Sequence, residues 1–171
     1  MLILGLDPGS LHTGYGLVER QGSTIRAVEA GRISSPKSLA LPSRLAHLYS
    51  GLGELLDRCP PDLAVLETPF HGMNSRSLIV LAEARGVLLA VLAGRGLEIR
   101  EYSPAEVKSA VTGNGRADKE QVARMVKLLL SSRESSPDPK WASDATDALA
   151  LALCCAQRLR LDRLRDQVVL P

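Results

Sequence analysis

Short, almost wholly apolar runs alternate with longer amphipathic stretches along this chain, and two of the short runs end on an acid. Leu2 to Leu6 is the first, stopping at Asp7. A run of this kind bounded by turn residues predicts a strand buried on both faces. Pro8-Gly9 turns the chain, and Thr13 to Val18 then reads as a second strand, making a hairpin. Thr24 to Ile33 is a third strand that completes an antiparallel meander. From Leu41 to Arg58 the period changes: Leu41, Leu45, Leu48, Leu52, Leu55 and Leu56 recur at helical spacing. Pro42 sits near the helix start, where proline is tolerated, Gly51 and Gly53 weaken the helix modestly, and Cys59-Pro60-Pro61 ends it. Leu63 to Leu66 is again a short apolar strand, and again an acid follows, Glu67.

The second half reads as helices around one more strand. Asn74 to Ala93 is a long, largely apolar helix closed by Gly94-Arg95-Gly96, and Leu97 to Tyr102 is a fifth strand. Ser103-Pro104-Ala105-Glu106 is a capping box with proline at the first helical position. Gly113-Asn114-Gly115 breaks that helix, and Asp118 with Gln121 opens the next, through Leu130. Ser131 to Lys140 is polar and proline-containing, a loop, and a last helix runs from Ser143 to Arg160. A meander followed by strand–helix–strand units predicts a mixed five-stranded sheet flanked by helices. The helical crossover into Leu63 allows that strand to lie parallel to the first. If the two are neighbours, Asp7 and Glu67 stand side by side at their carboxyl ends, where open α/β sheets place their sites.

Composition narrows the class without naming the chemistry. At 171 residues the chain predicts one domain over residues 1–160, with a basic, mobile tail over 161–171. The net charge of +2 is too mild to establish a nucleic-acid partner by itself. Cys59, Cys154 and Cys155 form no Cys-x-x-Cys pair and point to neither a zinc site nor an oxidising compartment. The amino terminus lacks a basic signal-peptide region, and Glu83 and Arg85 interrupt the longest apolar stretch, so a cytoplasmic protein with no membrane span is expected.

The candidate chemistry lies in the acids. Asp144 and Asp147 are three apart at the start of an apolar helix and share one face. Taken singly, Asp7 suits a turn cap, and Asp144 suits an acid that steadies a helix dipole. Taken together, Asp7, Glu67, Asp144 and Asp147 form an all-oxygen set suited to a hard cation such as Mg²⁺ or Mn²⁺. Two ions about 3.5–4 Å apart are what phosphodiester hydrolysis by in-line displacement uses. His12, His47 and His71 are scattered and offer no competing catalytic arrangement. Phe70, the sole phenylalanine, follows Pro69 beside the Glu67 strand; a lone loop aromatic usually packs in a small cluster, and next to a nuclease centre it suits stacking on a base. Asn74, Ser75, Arg76 and Ser77 open a helix and suit phosphate contacts, while Arg116, Lys119 and Arg124 form a basic patch around the glycine-rich turn.

These stretches resemble the crossover junction endodeoxyribonuclease RuvC family, Holliday junction resolvases with a ribonuclease H-like fold. The resemblance rests on GLDPGSLHTGYGLV, on the ETPF segment running from Glu67 to the ARG at Gly86, on PAEVK with GNGRADKEQV, and on SDATDALALAL, in that order. It implies that Asp7, Glu67, Asp144 and Asp147 are metal-binding catalytic acids and that Phe70 stacks on an unpaired base near the crossover. It further implies that Lys108 and Lys119 lie near the scissile phosphate and the junction arms, and that the enzyme is a homodimer serving a branch-migration motor complex. The long helix from Asn74 is the expected dimer surface, since Leu78, Val80, Leu81, Val87, Leu88 and Leu89 exceed what one core-facing stripe needs. A related ribonuclease H-like nuclease acting on RNA or on other branched DNA is the alternative. Two departures stand out: Thr146 where the family usually has alanine, and the long Ser131–Lys140 loop.

Overall fold

The computed structural model describes residues 1–68, 75–130 and 141–168, the last helix with side chains through 159. Ten elements follow one another: β1 (Leu2–Asp7), β2 (His12–Gln21), β3 (Thr24–Ser34), α1 (Leu41–Arg58), β4 (Leu63–Glu67), α2 (Ser75–Gly94), β5 (Glu98–Tyr102), α3 (Pro104–Thr112), α4 (Lys119–Leu130) and α5 (Ser143–Val168). The strands form one sheet in the order β3-β2-β1-β4-β5. β1 is central, antiparallel to β2 and parallel to β4, so the crossover through α1 delivers β4 to the side of β1 that the hairpin leaves free.

Alternation along the strands sorts the core into two layers. Leu4, Leu6, Leu17 and Leu66 face α1 and α2, and pack with Leu48, Leu52, Leu88 and Leu92. Ile3, Val18, Leu63 and Val65 face the other way, onto α5 and its neighbours α3 and α4, with Val107, Val126, Leu149 and Leu153. Helices therefore cover both faces, as expected for the mixed ribonuclease H-like sheet. Cys154 and Cys155 are both buried in the α5 layer as thiols, not joined in a disulfide.

Both predicted capping boxes form. Ser103 Oγ accepts from the Glu106 amide while Glu106 Oε2 accepts from the Ser103 amide at 2.8 Å, and Asp118 with Gln121 makes the same reciprocal pair ahead of α4. Two element bounds differ from the sequence reading. β2 extends on both sides of Thr13–Val18, because its pairing with the long β3 continues past the part that faces β1. α5 runs beyond Arg160 to Val168, for the chain between holds helix-favouring Leu, Arg and Gln with no glycine or proline.

α2 is long and apolar enough, by length and composition, to cross a membrane. Here it is a layer of the domain: Ala84, Leu88, Val91 and Leu92 are buried against the sheet and α1, and the charged Arg85 is buried with them. Leu88, expected among the residues of a dimer surface with Leu78, Val80, Leu81, Val87 and Leu89, is fully buried in the monomer. Ile79 on that helix is a large apolar residue left 58% exposed.

Candidate active site

The period of two that buries Ile3 and Val65 under α5 places Asp7 and Glu67 on that same face. Cα register pairs Leu6 with Leu66, so the two acids that follow stand beside each other at the carboxyl ends of β1 and β4. The turn after Asp7 is held by the buried Thr13, whose Oγ1 donates to the Gly9 carbonyl at 2.7 Å and accepts from the Gly9 amide.

Three glycines bring the remaining acids down onto the sheet. Gly5, Gly14 and Gly16 point at α5, and a Cβ built on them would lie 1.9 Å from the Ala148 carbonyl oxygen, 2.0 Å from the Asp144 carbonyl oxygen and 2.8 Å from Leu149, respectively. The α5 backbone thus rests on bare strand backbone, and the first turn of the helix sits over the ends of β1 and β2. Thr146 fits there without strain: it is buried, and its hydroxyl donates to the Ala142 carbonyl at 3.0 Å.

Asp7, Glu67, Asp147, Lys108 and Lys119 line a cleft of about 270 Å³, walled by Pro104, Val107, Val122, Ala150 and Leu151. Lys119 Nζ, from the start of α4, lies 2.7 Å from Asp147 Oδ2. Asp144 stands at the side of this cleft and pairs with Arg32 of β3 at 3.6 Å. The Asp7 carboxyl is raised from 3.8 to about 7, first by burial and then by Asp147, Asp144 and Glu67, against the pull of Lys119. Glu67 is raised by burial and by Asp147, against the pull of Lys108 and Lys119. The Lys119 ammonium is in turn raised by its bond to Asp147.

A buried carboxylate surrounded by three more is a basin of negative charge that calls for a cation. The oxygen-only donor set fits Mg²⁺ or Mn²⁺. Among the described residues no three His, Cys, Asp or Glu side chains close on one point as a finished metal cage. The reason is visible in the pairing: like charges keep the acids apart, Lys119 draws Asp147 one way, and Arg32 draws Asp144 another.

Of the DNA-facing residues read from the sequence, Lys108 and Lys119 join the acids in the cleft. Arg76 and Arg116 are exposed, at the start of α2 and on the α3–α4 turn, and neither lines it. Phe70 and Asn74 lie outside the described residues, as does the Ser131–Lys140 loop. Arg32 is a site residue that sequence reasoning misses, since an arginine on a solvent-edge strand carries no distinguishing pattern. Arg85 does carry a signal, a charge inside an otherwise apolar helix, which by itself reads only as an interruption.

Comparison with known proteins gives the family. The family model described as crossover junction endodeoxyribonuclease RuvC matches residues 3–155. The crossover junction endodeoxyribonuclease RuvC of Moorella thermoacetica is 46% identical over 156 residues, 91% of this chain and 91% of that protein. Its counterpart from Chloroflexus aggregans is 43% identical over 156 residues, 91% of this chain and 93% of that one. A solved structure of T. thermophilus RuvC in complex with Holliday junction substrate aligns with a TM-score of 0.84 at 29% identity, covering 95% of this chain and 96% of the other. With a family model spanning the sheet, the cleft and the first half of α5, and relatives matched nearly end to end, this chain belongs to the crossover junction endodeoxyribonuclease RuvC family.

Proposed function

We propose that this chain is a divalent-metal-dependent endonuclease that resolves four-way DNA junctions by paired phosphodiester hydrolysis, in DNA recombination and repair. The observation that carries the reading is the convergence of Asp7, Glu67, Asp144 and Asp147, from two parallel strand ends and one helix, with two lysines over the same cleft. The four acids hold Mg²⁺, two ions per site, and Mn²⁺ can take its place. When bound, the ions supply Lewis acidity at the phosphate and a water of lowered pKa. The residues of the chain do the rest. Asp7 anchors the site from the buried end of β1, and Glu67 closes it from β4. Lys108 and Lys119 set positive charge beside the acids, where a phosphodiester enters. Phe70 stacks on an unpaired base near the crossover, and Asn74, Arg76 and Arg116 contact the DNA backbone.

Labelled four-way junction, linear duplex and RNA–DNA hybrid, each incubated with Mg²⁺ and with chelator, test this directly. Cleavage confined to the junction and abolished by chelator is the expected result. Preference for the hybrid, or cleavage without metal, would overturn it.

The two lysines separate positioning from chemistry. Lys108→Ala and Lys119→Ala are each expected to flatten the dependence of junction affinity on salt, by roughly one unit of slope for every phosphate the lysine neutralises. Titrating mobility-shift affinities against salt checks this, and unchanged slopes in both variants would remove the lysines from the DNA surface. Lys119→Ala should also push the Asp7 carboxyl higher in the metal-free protein, because the Lys119 ammonium pulls it down.

The substrate has approximate two-fold symmetry, and one cleft makes one cut, so we read the enzyme as a two-fold homodimer. The exposed Ile79 and the half-buried Leu78, Val80 and Leu81 on the first turns of α2 support that surface. Sedimentation equilibrium at micromolar concentration should give twice the 18.3 kDa chain mass. A strict monomer on the junction would contradict it. A branch-migration motor complex is the further partner in this reading.

A further inference from the structure

Behind the sheet, one charged side chain sits where the apolar α2 layer has no obvious place for it. Arg85 is 8% exposed, between the buried Ala84 and Leu88. A buried guanidinium is costly unless its donors are satisfied, and both partners of this one lie at the carboxyl end of the sheet. Its Nη1 donates to the backbone carbonyl of Glu67 at 2.7 Å, and its Nη2 donates to the Glu101 carboxylate of β5. On the β1 side the sheet leaves this strand end short of support, while on the other side Glu67 still pairs in register with Tyr102 of β5. The β1–β4 register stops at Leu6 and Leu66, and β1 is followed by Pro8, which has no N–H to give. The next residue, Thr68, donates its amide to the Tyr102 carbonyl at 2.9 Å. The peptide that carries Glu67 is therefore tied to β5 through Thr68 and to the opposite helix layer through Arg85.

We propose that Arg85 is a positioning residue for the reaction, holding the end of β4 by the Glu67 carbonyl so that the Glu67 carboxylate meets the other acids, with Glu101 orienting the guanidinium. The proposal rests on the reading of Glu67 as a metal-holding acid. Arginine suits the task because its planar fork reaches two acceptors in fixed directions, whereas a lysine supplies a single point of charge. The carboxylate itself is untouched by Arg85, so what Arg85 controls is where the acid stands, and with it the affinity for the ion.

The test compares Arg85→Gln, Arg85→Lys, Glu101→Gln and Glu67→Gln as full-length proteins. It reads Mn²⁺ binding to the junction complex by calorimetry, single-turnover cleavage across an Mn²⁺ titration, and junction affinity by mobility shift. Arg85→Gln is expected to weaken Mn²⁺ binding and slow cleavage by roughly 10–100-fold, the range seen when a residue supporting a metal ligand is removed, with junction affinity unchanged. Arg85→Lys should recover part of both, and Glu101→Gln should lose less in the same direction. A folded Arg85→Gln with wild-type Mn²⁺ affinity and rate, beside an inactive Glu67→Gln, would overturn the proposal while leaving the site intact. Should Arg85→Gln fail to fold, wild-type Mn²⁺ affinity and rate in both Arg85→Lys and Glu101→Gln would overturn it equally. A Glu67→Gln protein that cleaves and binds Mn²⁺ normally would overturn the site reading, and this proposal with it.

Discussion

Asp7→Asn is expected to abolish junction cleavage and, at the same time, to stabilise the metal-free protein above neutral pH. The loss follows from removing the most deeply buried acid of the cluster: metal stabilisation of a phosphoryl transition state is worth several kcal/mol, so the rate should fall on the order of 10²–10⁴-fold or more. Junction affinity should stay near wild type, because the lysines that face the phosphate are untouched. The gain follows from linkage. Asp7 titrates at 3.8 in the unfolded chain and at about 7 in the folded one, so between those values the folded state holds the extra proton. Stability of the metal-free protein therefore falls as pH rises from about 4 to 7 and stays low above, by an amount on the order of a few kcal/mol. The amide carries no charge and removes that penalty. Thermal unfolding of wild type and Asp7→Asn in chelator at pH 5 and pH 8 checks it: the variant should melt higher at pH 8, and the gap should shrink markedly at pH 5. Saturating Mg²⁺ should lift the wild type at pH 8 and leave the variant nearly unmoved. Wild-type-like nicking by Asp7→Asn, or a variant less stable at pH 8, would contradict the assignment.

Gly14→Ala should be the most damaging change outside the acids. The added methyl would sit 2.0 Å from the Asp144 carbonyl oxygen, a backbone atom of a helix pinned by its own buried face, so either α5 or β2 must move. Overpacking of this kind costs about 1–3 kcal/mol and occasionally more. Whatever fraction folds carries Asp144 and Asp147 displaced from Asp7, so cleavage should fall further than stability does. Gly5→Ala meets the Ala148 carbonyl at 1.9 Å and should behave likewise. Gly53→Ala in α1, where the methyl would meet only the tip of Arg95 at 3.8 Å, is the control and should stabilise by up to about 1 kcal/mol. Denaturant midpoints with cleavage rates measured on the folded protein separate the two effects. If Gly14→Ala kept wild-type stability and rate, close seating of α5 would not be what builds the site.

Much of this architecture is legible in the sequence because local and global signals coincide. The acids at the ends of β1 and β4 can be placed from alternation alone, since a single parity puts Ile3 under α5 and Asp7 into the cleft. The leucine period of α1 and the capping boxes of α3 and α4 are short-range chemistry, and all three form where the residues predict them. What is not legible depends on distances between elements. Gly5, Gly14 and Gly16 read as unremarkable strand residues until α5 is laid on them. Arg85 reads as a break in an apolar stretch, because only the fold brings the Glu67 carbonyl within its reach. Leu88 cannot be told from its half-buried neighbours on a helix that is largely apolar. Arg32 meets Asp144 across the meander and the helix layer, a pairing no spacing announces.

The central claim is that one acidic cleft per protomer cuts a four-way junction in a symmetric pair. Mapping the nicks on a junction labelled in turn on each of its four strands, with Mg²⁺ and wild-type protein, tests it most directly. The account predicts nicks at the same position in two strands of like polarity, products that ligase seals, and none from Asp7→Asn. Nicks at unrelated positions, ends that ligase cannot join, or equal cutting of a linear duplex would contradict it.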